Sequence, residues 1–342
     1  MFWLWSGVAV LFSVPVALFL FLVALHYWLR YQYLEFVIRI FQEKPLFIVP
    51  RGQPVVGAEE IELPTTHGLT LRGCYIKTKA ERRKGVILFG LEFGSNRWSC
   101  VPYCEQLLEQ GYDVCAFEPR GQGDSPCQPG YDPLQWVTEH EVNDYRAALA
   151  YLKNRPDAEP NGIGLFGISK GAAAGIIAAD RSSQVRCVLT DGVFATYSTM
   201  VPYMRKWVGI YNNRYVLQGL IPLWYYGLIG KVALSRIARV RHCRFPHLEP
   251  CMARLNKPLL MIHGGGDTYI KPEMGQGLFA RAPEPKEFWM VEGAKHNQAL
   301  HLFKAEYQRR VLEFFDRYLA VHSSAPAPTP SGLPPALLPT VV

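Results

Sequence analysis

The 342-residue sequence lacks the marks of several common protein classes. It contains no Asn-X-Ser/Thr sequon, so nothing in it indicates a glycosylated exterior domain. Its eight cysteines form no dense short-range framework, and Cys74, Cys115 and Cys187 fall in apolar strand-like runs, which favours buried reduced thiols over disulfides. No Gly-Lys-Ser/Thr follows the three glycines of 264–266, which excludes a phosphate-binding loop there.

Charge is missing from one long segment at the N terminus. Residues 1–29 hold no formally charged side chain, and residues 2–25 are almost wholly apolar. At about 1.5 Å per residue, this run is long enough to cross a hydrocarbon core of roughly 30 Å. We therefore predict a transmembrane anchor over residues 1–29. Aromatic rings, which favour the membrane interface, occur at its two ends: Trp3, Trp5, Tyr27, Trp28 and Tyr31.

A cleaved signal peptide is the alternative for this segment. It would show a basic n-region, a shorter apolar core and a small-X-small cleavage site, and none of these precedes Arg30. Arg30, Arg39 and Lys44 follow the apolar run, whereas only the α-amino group precedes it. The positive-inside tendency therefore predicts a single-pass membrane protein whose main domain lies in the cytosol.

The remaining chain divides into three parts by composition. Residues 30–58 read as an amphipathic linker, residues 59–322 as the folded domain, and residues 323–342 as a disordered tail rich in proline and alanine. Within the domain, apolar strand-like runs alternate with helical patterns. We predict strands at 60–63, 69–76, 84–90, 113–118, 162–168, 185–194, 257–263 and 287–291, and helices at 97–110, 136–154 and 297–320. This alternation predicts an α/β fold with a mostly parallel sheet covered by helices on both faces.

The stretch of most chemical interest is Gly-Ile-Ser-Lys-Gly at 167–171. It fits G-X-S-X-G, a sharp strand-to-helix turn that holds a nucleophilic serine in an exposed, strained position. Glycine is needed at both ends, because a Cβ there would clash where backbone meets backbone. An apolar strand-like run precedes the motif and an alanine-rich helical run follows it, which is the context that the motif requires. Ser169 is therefore the candidate nucleophile.

From about residue 60 to residue 320 the chain resembles the α/β-hydrolase fold, whose triad runs Ser, acid, His in chain order. The run Arg-Gly-Gln-Gly-Asp-Ser at 120–125 is similar to a turn that follows the fourth strand in that family. The resemblance implies that Asp267, after the penultimate strand, is the acid. It also implies that His296, after the last strand, is the base that activates Ser169.

The chemistry of acyl transfer explains these residue types. A serine hydroxyl becomes a good nucleophile only when an imidazole takes its proton, and a carboxylate orients that imidazole and stabilises its charged form. The oxyanion needs backbone N–H donors, each worth roughly 3 kcal/mol. The resemblance implies donors at Lys170 and at Leu91, with Glu92 as the alternative to Leu91. Many family members have His-Gly where this chain has Phe-Gly at 89–90.

Several other residues compete for these roles. Asp191, at the end of the strand after Ser169, is the alternative acid, because triads are defined by geometry. His263 is a less favoured base, and Lys170 would suggest a Ser-Lys mechanism if its side chain turned towards the serine. A zinc site is a further alternative, without regular ligand spacing, and its candidate ligands are His242, Cys243, His247 and Cys251.

Acidic residues are almost absent from 195–256, a segment between the strand after Ser169 and the strand before Asp267 where α/β-hydrolases often carry a lid. We refer to it as the lid insertion. It holds nine basic side chains and one carboxylate, Glu249, a net charge of +8 against +7 for the whole chain. It also contains the apolar, aromatic run 216–229. Beside a membrane anchor, such a surface favours contact with an anionic bilayer. No nucleic-acid-binding motif accompanies the charge, so we expect no nucleic-acid partner.

The sequence therefore predicts a membrane-anchored serine hydrolase that cleaves an acyl or lipid-like ester or thioester through an acyl-enzyme. Neither a cofactor nor a metal is expected. Serine at the elbow argues against the dehalogenases and epoxide hydrolases, which have aspartate there. Two alternatives stay open: a peptidase or amidase of the prolyl-oligopeptidase-like branch, and a non-catalytic binding module that keeps the fold.

Overall fold

The structure is a computed structural model that describes residues 2–44, 49, 51–66, 68–211 and 221–320. The predicted tail at 323–342 lies outside the described residues. So do part of the predicted linker (45–48 and 50) and part of the lid insertion (212–220).

One eight-stranded sheet organises the described part of the domain. Its strands are β1 (Glu59–Pro64), β2 (Thr70–Ile76), β3 (Gly85–Gly90), β4 (Tyr112–Phe117), β5 (Ile163–Ile168), β6 (Val185–Asp191), β7 (Leu259–Gly264) and β8 (Lys286–Val291). They lie in the order β1-β2-β4-β3-β5-β6-β7-β8. Only β2 pairs antiparallel, with β1 on one side and β4 on the other; all other pairs are parallel. The predicted α/β-hydrolase fold is confirmed.

Helices connect the strands and cover both faces of the sheet. They are α1 (Phe2–Gln42), α2 (Val101–Glu109), α3 (Glu139–Asn154), α4 (Lys170–Ala179), α5 (Thr196–Tyr211), α6 (Leu223–Val240), α7 (Leu248–Ala253), α8 (Pro272–Phe279), α9 (Ala299–Leu302) and α10 (Lys304–Tyr318). Side chains of α3 and α4, such as Tyr145 and Ile176, pack on one face. Side chains of α2 and α10, such as Leu107 and Phe315, pack on the other.

The end of the domain differs from the sequence prediction. The helix expected over 297–320 is interrupted at Phe303, whose backbone (φ −132°, ψ 51°) leaves the helical region between α9 and α10. Tyr307 and Phe314 are buried in the core, whereas 46% of Phe303 is exposed. The apolar periodicity continues across the break, which is why the sequence suggested one helix.

The N-terminal helix is longer than the predicted anchor, because α1 continues through 30–42, where a linker was expected. Among the described residues, Ser13–Gln42 is the one helix long and apolar enough to cross a membrane, by length and composition; a signal sequence meets the same criteria. Its last turns are docked on the domain. Leu34, Val37 and Phe41 are buried in a third apolar cluster, shared with α5 and α6.

Candidate active site

Ser169 lies between β5 and α4 in a backbone conformation that side chains rarely adopt, with φ 52° and ψ −118°. The flanking glycines make this turn possible. A Cβ on Gly167 would lie 2.4 Å from the Cα of Ala172, and a Cβ on Gly171 would lie 2.3 Å from the carbonyl oxygen of Leu91. The turn leaves the Ser169 side chain at the carboxyl edge of the sheet, where the loops after β7 and β8 begin.

The three side chains predicted as a triad lie in one hydrogen-bonded line. The Oγ of Ser169 is 2.9 Å from Nε2 of His296, and Nδ1 of His296 is 2.7 Å from Oδ2 of Asp267. Because an ionised carboxylate only accepts hydrogen bonds, Nδ1 carries the ring proton and Nε2 is left as an acceptor for the serine hydroxyl. The imidazole is thus placed to take the Ser169 proton.

The backbone holds Asp267 in place. Its Oδ1 accepts hydrogen bonds from the N–H groups of Tyr269 and Ile270, each at 2.8 Å. These bonds use one carboxylate oxygen and leave the other for His296. The loop after β7 therefore fixes the orientation of the acid independently of the imidazole.

The alternative acid and base have other partners. Oδ2 of Asp191 accepts a hydrogen bond from the Tyr307 hydroxyl at 3.0 Å, and burial raises the pKa of Asp191 to about 7. Nε2 of His263 donates to the carbonyl oxygen of Ile270 at 2.9 Å and is 3.9 Å from Asp267. Burial lowers the pKa of His263. Asp191 therefore lies in the core beside α10, and the Nε2 of His263 is bonded to the Ile270 carbonyl rather than to Ser169.

The Lys170 side chain points away from the serine. Its Nζ forms a buried ion pair with Glu141 at 3.0 Å and donates to the carbonyl oxygen of Leu134 at 2.6 Å. Glu141 also caps α3, because its carboxylate accepts the N–H of Thr138 at 2.8 Å. The amine therefore joins α4 to α3 and to the loop before α3, and it forms no Ser-Lys pair with Ser169.

The loop that holds Leu91 and Glu92 packs against the first turn of α4, as the close approach of Leu91 to Gly171 shows. Gln122, from the predicted 120–125 turn, donates to the carbonyl oxygens of Glu92 and Ser95 at 2.8 and 3.1 Å. This turn therefore braces the loop beside Ser169. The oxyanion donors assigned to Leu91 and Lys170 stay predictions that agree with this proximity.

Asn297 is a site residue that sequence reasoning missed. It follows His296, has φ 55°, and donates through Nδ2 to Oε2 of Glu92 at 2.6 Å. Burial raises the pKa of Glu92, although Asn297 opposes that shift. Gly192 leaves room for this link, because a Cβ there would lie 2.4 Å from Oδ1 of Asn297. The loop with the candidate base is thus tied to the loop with the predicted oxyanion donor.

The candidate zinc ligands have ordinary structural roles. Cys243 and Cys251 are buried, and the His247 ring stacks on Tyr197 with centroids 3.8 Å apart. Within the described ranges, no group of three or more His, Cys, Asp or Glu side chains is placed to hold a metal ion.

Comparison with known proteins places this geometry in a family. A model of the prolyl oligopeptidase family matches residues 103–322, more than half of the chain. The uncharacterized protein YfhR of Escherichia coli K12 is 24% identical over 71% of the chain and 74% of its own length. The thiohydrolase aneE of Aspergillus aculeatus is 31% identical over 38% of the chain and 40% of its own length.

Solved structures show the same fold. The esterase Pf2001 of Pyrococcus furiosus superposes with a TM-score of 0.60 and 22% sequence identity, covering 81% of this chain and 97% of the esterase. The likeness extends over nearly the whole of that enzyme and most of the present chain. The α/β-hydrolase architecture is therefore common to both proteins.

Proposed function

We infer the reaction of this chain from one premise: it belongs to the prolyl oligopeptidase family, and it is a hydrolase of the α/β-hydrolase superfamily. We propose that it is a serine hydrolase that cleaves a carboxylic ester or thioester through an acyl-enzyme. The observation that carries the proposal is the continuous line from Ser169 through His296 to Asp267, with distances of 2.9 and 2.7 Å.

The proposed reaction has two halves. Nε2 of His296 takes the hydroxyl proton as Oγ of Ser169 attacks the acyl carbon, and Asp267 stabilises the resulting imidazolium. His296 then returns that proton to the leaving alcohol or thiol, which leaves an acyl ester on Ser169. In the second half, His296 takes a proton from water, the hydroxide attacks the acyl carbon, and the proton returns to Oγ as the acid leaves.

The oxyanion in both halves needs fixed donors beside Ser169. We assign these to the backbone N–H groups of Leu91 and Lys170. The packing of Leu91 on Gly171 supports this pair, because it holds the loop and the first turn of α4 on the same side of the serine. Each such donor contributes about 3 kcal/mol to transition-state stabilisation in comparable sites.

An ester or thioester is favoured over a peptide by the surroundings of the site. A cavity lined mainly by apolar and aromatic side chains lies next to Tyr269, whose ring centroid is 5.4 Å from that of His296. An acyl chain suits such a lining better than a polar peptide does. The thiohydrolase and the esterase among the similar proteins agree with this choice. The family to which the chain belongs makes a peptidase the second candidate.

The test is labelling of the full-length protein, in detergent, with a fluorophosphonate probe. We expect Ser169 to be labelled, Ser169→Ala to abolish labelling, and the matched substitution Ser99→Ala, away from the triad, to retain it. Hydrolysis of p-nitrophenyl acyl esters should then exceed hydrolysis of aminoacyl nitroanilides. Absence of labelling in a folded wild-type protein would support a non-catalytic module, and faster nitroanilide cleavage would support a peptidase.

We further propose that α1 anchors the domain in a bilayer and that the lid insertion faces that bilayer. Three contacts join α1 to α6 and its end: His26 Nδ1 to the Tyr225 hydroxyl at 3.1 Å, Glu35 to Arg236, and Gln42 Oε1 to Arg241 Nε at 2.7 Å. Residue numbers increase in the same direction along both segments, so the two helices run parallel. The start of α6 therefore lies beside His26, near the end of the apolar part of α1.

The surface of α6 changes along its length in a way that suits an interface. Near its start, Leu223 and Trp224 are 55% and 70% exposed. Further along, Lys231 and Arg239 line a groove with Arg30 of α1. Apolar groups at the bilayer side and cations at headgroup level are the order expected of a helix at an anionic interface.

After alkaline carbonate extraction, the protein should stay with the membrane pellet; release into the supernatant would refute the anchor.

A further inference from the structure

A cavity of about 480 Å³ lies between α1, α5 and the loop that precedes α3. This volume is within the range of about 300–1,000 Å³ that small-molecule sites occupy. Phe36 and Ile40 of α1 form one wall, Met204 of α5 forms the opposite wall, and Trp136 contributes to the side. The lining is therefore mainly hydrocarbon and aromatic rings, with few polar groups.

One residue joins this cavity to the candidate triad. Tyr269 lines the cavity, its ring lies beside that of His296, and its N–H binds Asp267 at 2.8 Å. The Tyr269 hydroxyl donates to Oε1 of Gln135, and the Tyr203 hydroxyl donates to the carbonyl oxygen of Tyr269. These bonds hold Tyr269 in position between the triad and the cavity. A chain attached to an acyl carbon at Ser169 reaches the cavity by passing this ring.

The cavity has a direction relative to the predicted membrane. Its triad end is level with Phe41. Tyr269, beside His296, bonds to Gln135, and the next residue, Trp136, stacks on Phe41 with ring centroids 4.5 Å apart and donates to its carbonyl oxygen at 2.9 Å. Its other end reaches Tyr33, about 12 Å nearer the N terminus at the rise of an α-helix. Beyond Tyr33, α1 exposes large apolar side chains such as Phe19 and Phe21, 65% and 62% exposed. The apolar surface of α1 thus leads from the predicted bilayer segment into the cavity.

The end of the cavity away from Tyr33, which is the end nearer the triad, is polar. Glu43 and Lys44 line it there, and Lys44 forms an ion pair with Asp132 at 2.8 Å. A hydrocarbon chain therefore gains most by lying towards Tyr33, with its polar carbonyl end at the triad. This polarity matches an ester whose tail points towards the membrane.

From this geometry we propose that the cavity binds the acyl chain of an ester taken from the bilayer that holds α1. The carbonyl carbon lies at Ser169, and the chain passes Tyr269 and runs along α1 towards the membrane. The inference rests on the proposed serine hydrolase function and adds to it the substrate class and the residues that select it. It makes the anchor helix a wall of the substrate site.

The test changes the cavity from the side of α1. Ile40→Trp narrows it, whereas Ile38→Trp places the same ring on the same helix beside a separate groove near Arg241. With p-nitrophenyl acetate and octanoate, Ile40→Trp should lower the octanoate-to-acetate ratio of kcat/KM at least about tenfold, since each methylene excluded from an apolar site costs about fourfold. Ile38→Trp should leave the ratio within about twofold. An unchanged ratio in a folded Ile40→Trp protein would overturn the proposal.

A second variant keeps the proposal testable if Ile40→Trp does not fold. Met204→Phe narrows the cavity from α5 and should lower the same ratio; no change in a folded protein would count against the cavity. Failure of the proposed function gives a different result, because the wild type would then hydrolyse neither ester and would not be labelled by a fluorophosphonate. If the wild type hydrolyses acetate but neither cavity variant changes the octanoate-to-acetate ratio, the proposed role of the cavity is refuted while the serine hydrolase function stands.

The origin of the chain is tested with vesicles. The full-length protein is reconstituted in phosphatidylglycerol vesicles, with a fluorogenic long-chain ester placed either in the same vesicles or in separate ones at the same bulk concentration. Entry along α1 predicts at least about tenfold faster hydrolysis in the shared vesicles. Equal initial rates would show that the substrate arrives through water, and would refute a bilayer source.

Discussion

Replacing the candidate acid by its amide, Asp267→Asn, tests the proposed triad most directly. The substitution keeps the shape of the side chain, and its carbonyl oxygen can still accept the N–H groups of Tyr269 and Ile270, both at 2.8 Å. Its amide nitrogen then faces Nδ1 of His296 and donates to it. The imidazole proton is thereby forced to Nε2, where it faces Ser169 and blocks acceptance of the hydroxyl proton.

The expected loss follows from the tautomer. In serine hydrolases, a change that holds the imidazole in the wrong tautomer lowers kcat by roughly 10⁴-fold, equivalent to about 5 kcal/mol of transition-state stabilisation. Because the two backbone bonds to residue 267 persist, the fold should be retained. The measurement is kcat for a short-chain p-nitrophenyl ester, together with the thermal midpoint of the variant.

Asp191→Asn is the matched control. Asparagine at 191 can still accept the Tyr307 hydroxyl, and the structure shows no hydrogen bond from Asp191 to His296 among the contacts of its described side chain. We expect kcat to stay within a few fold of the wild type. A loss of 10³-fold or more in Asp191→Asn, with Asp267→Asn within tenfold of the wild type, would assign the acid to 191 and refute our reasoning.

Two further predictions concern stability. Burial raises the pKa of Asp191 from 3.8 to about 7, so the folded state retains a proton that the unfolded chain loses between those values, and stability falls as the pH rises through that window. The free energy of unfolding of Asp191→Asn should therefore rise relative to that of the wild type, by up to about 4 kcal/mol between about pH 4 and pH 8. Denaturant unfolding in detergent measures this difference, and a difference that does not change with pH would contradict the prediction. Lys170→Met leaves Glu141 buried and unpaired and should cost about 3–5 kcal/mol, with partial recovery on adding Glu141→Gln; no recovery would disprove the pairing.

The sequence could predict the candidate triad because each member follows a strand. Parallel strands bring their carboxyl ends to one edge of the sheet, so Ser169 after β5, Asp267 after β7 and His296 after β8 meet there although they are far apart in the chain. The motif indicated Ser169 as the nucleophile, and the resemblance to the α/β-hydrolase fold implied Asp267 and His296 as its partners. Other residues at the same edge carry no such pattern. Asn297 binds Glu92 across 205 positions, and no local spacing predicts that bond.

Composition also suggested a linker directly after the predicted anchor. Residues 30–42 are more polar than the apolar run before them, which suggested a linker, yet they continue α1 without interruption. The reason lies in partners distant in sequence. Phe41 packs on Trp136, and Gln42 bonds to Arg241, 199 positions away. An amphipathic helix is stabilised mainly by the surface that receives its apolar face, and that surface appears only after the domain has folded.

This continuity of α1 bears on the proposed mechanism. A flexible linker would let the domain drift relative to the bilayer, and the cavity beside Tyr269 would lose the wall formed by Phe36 and Ile40. A docked helix instead fixes the position of α1 on the domain, with the contact between His26 and Tyr225 at one end and the stacking of Phe41 on Trp136 at the other. If α1 is the anchor, the same helix sets both where the enzyme resides and which acyl chains reach Ser169.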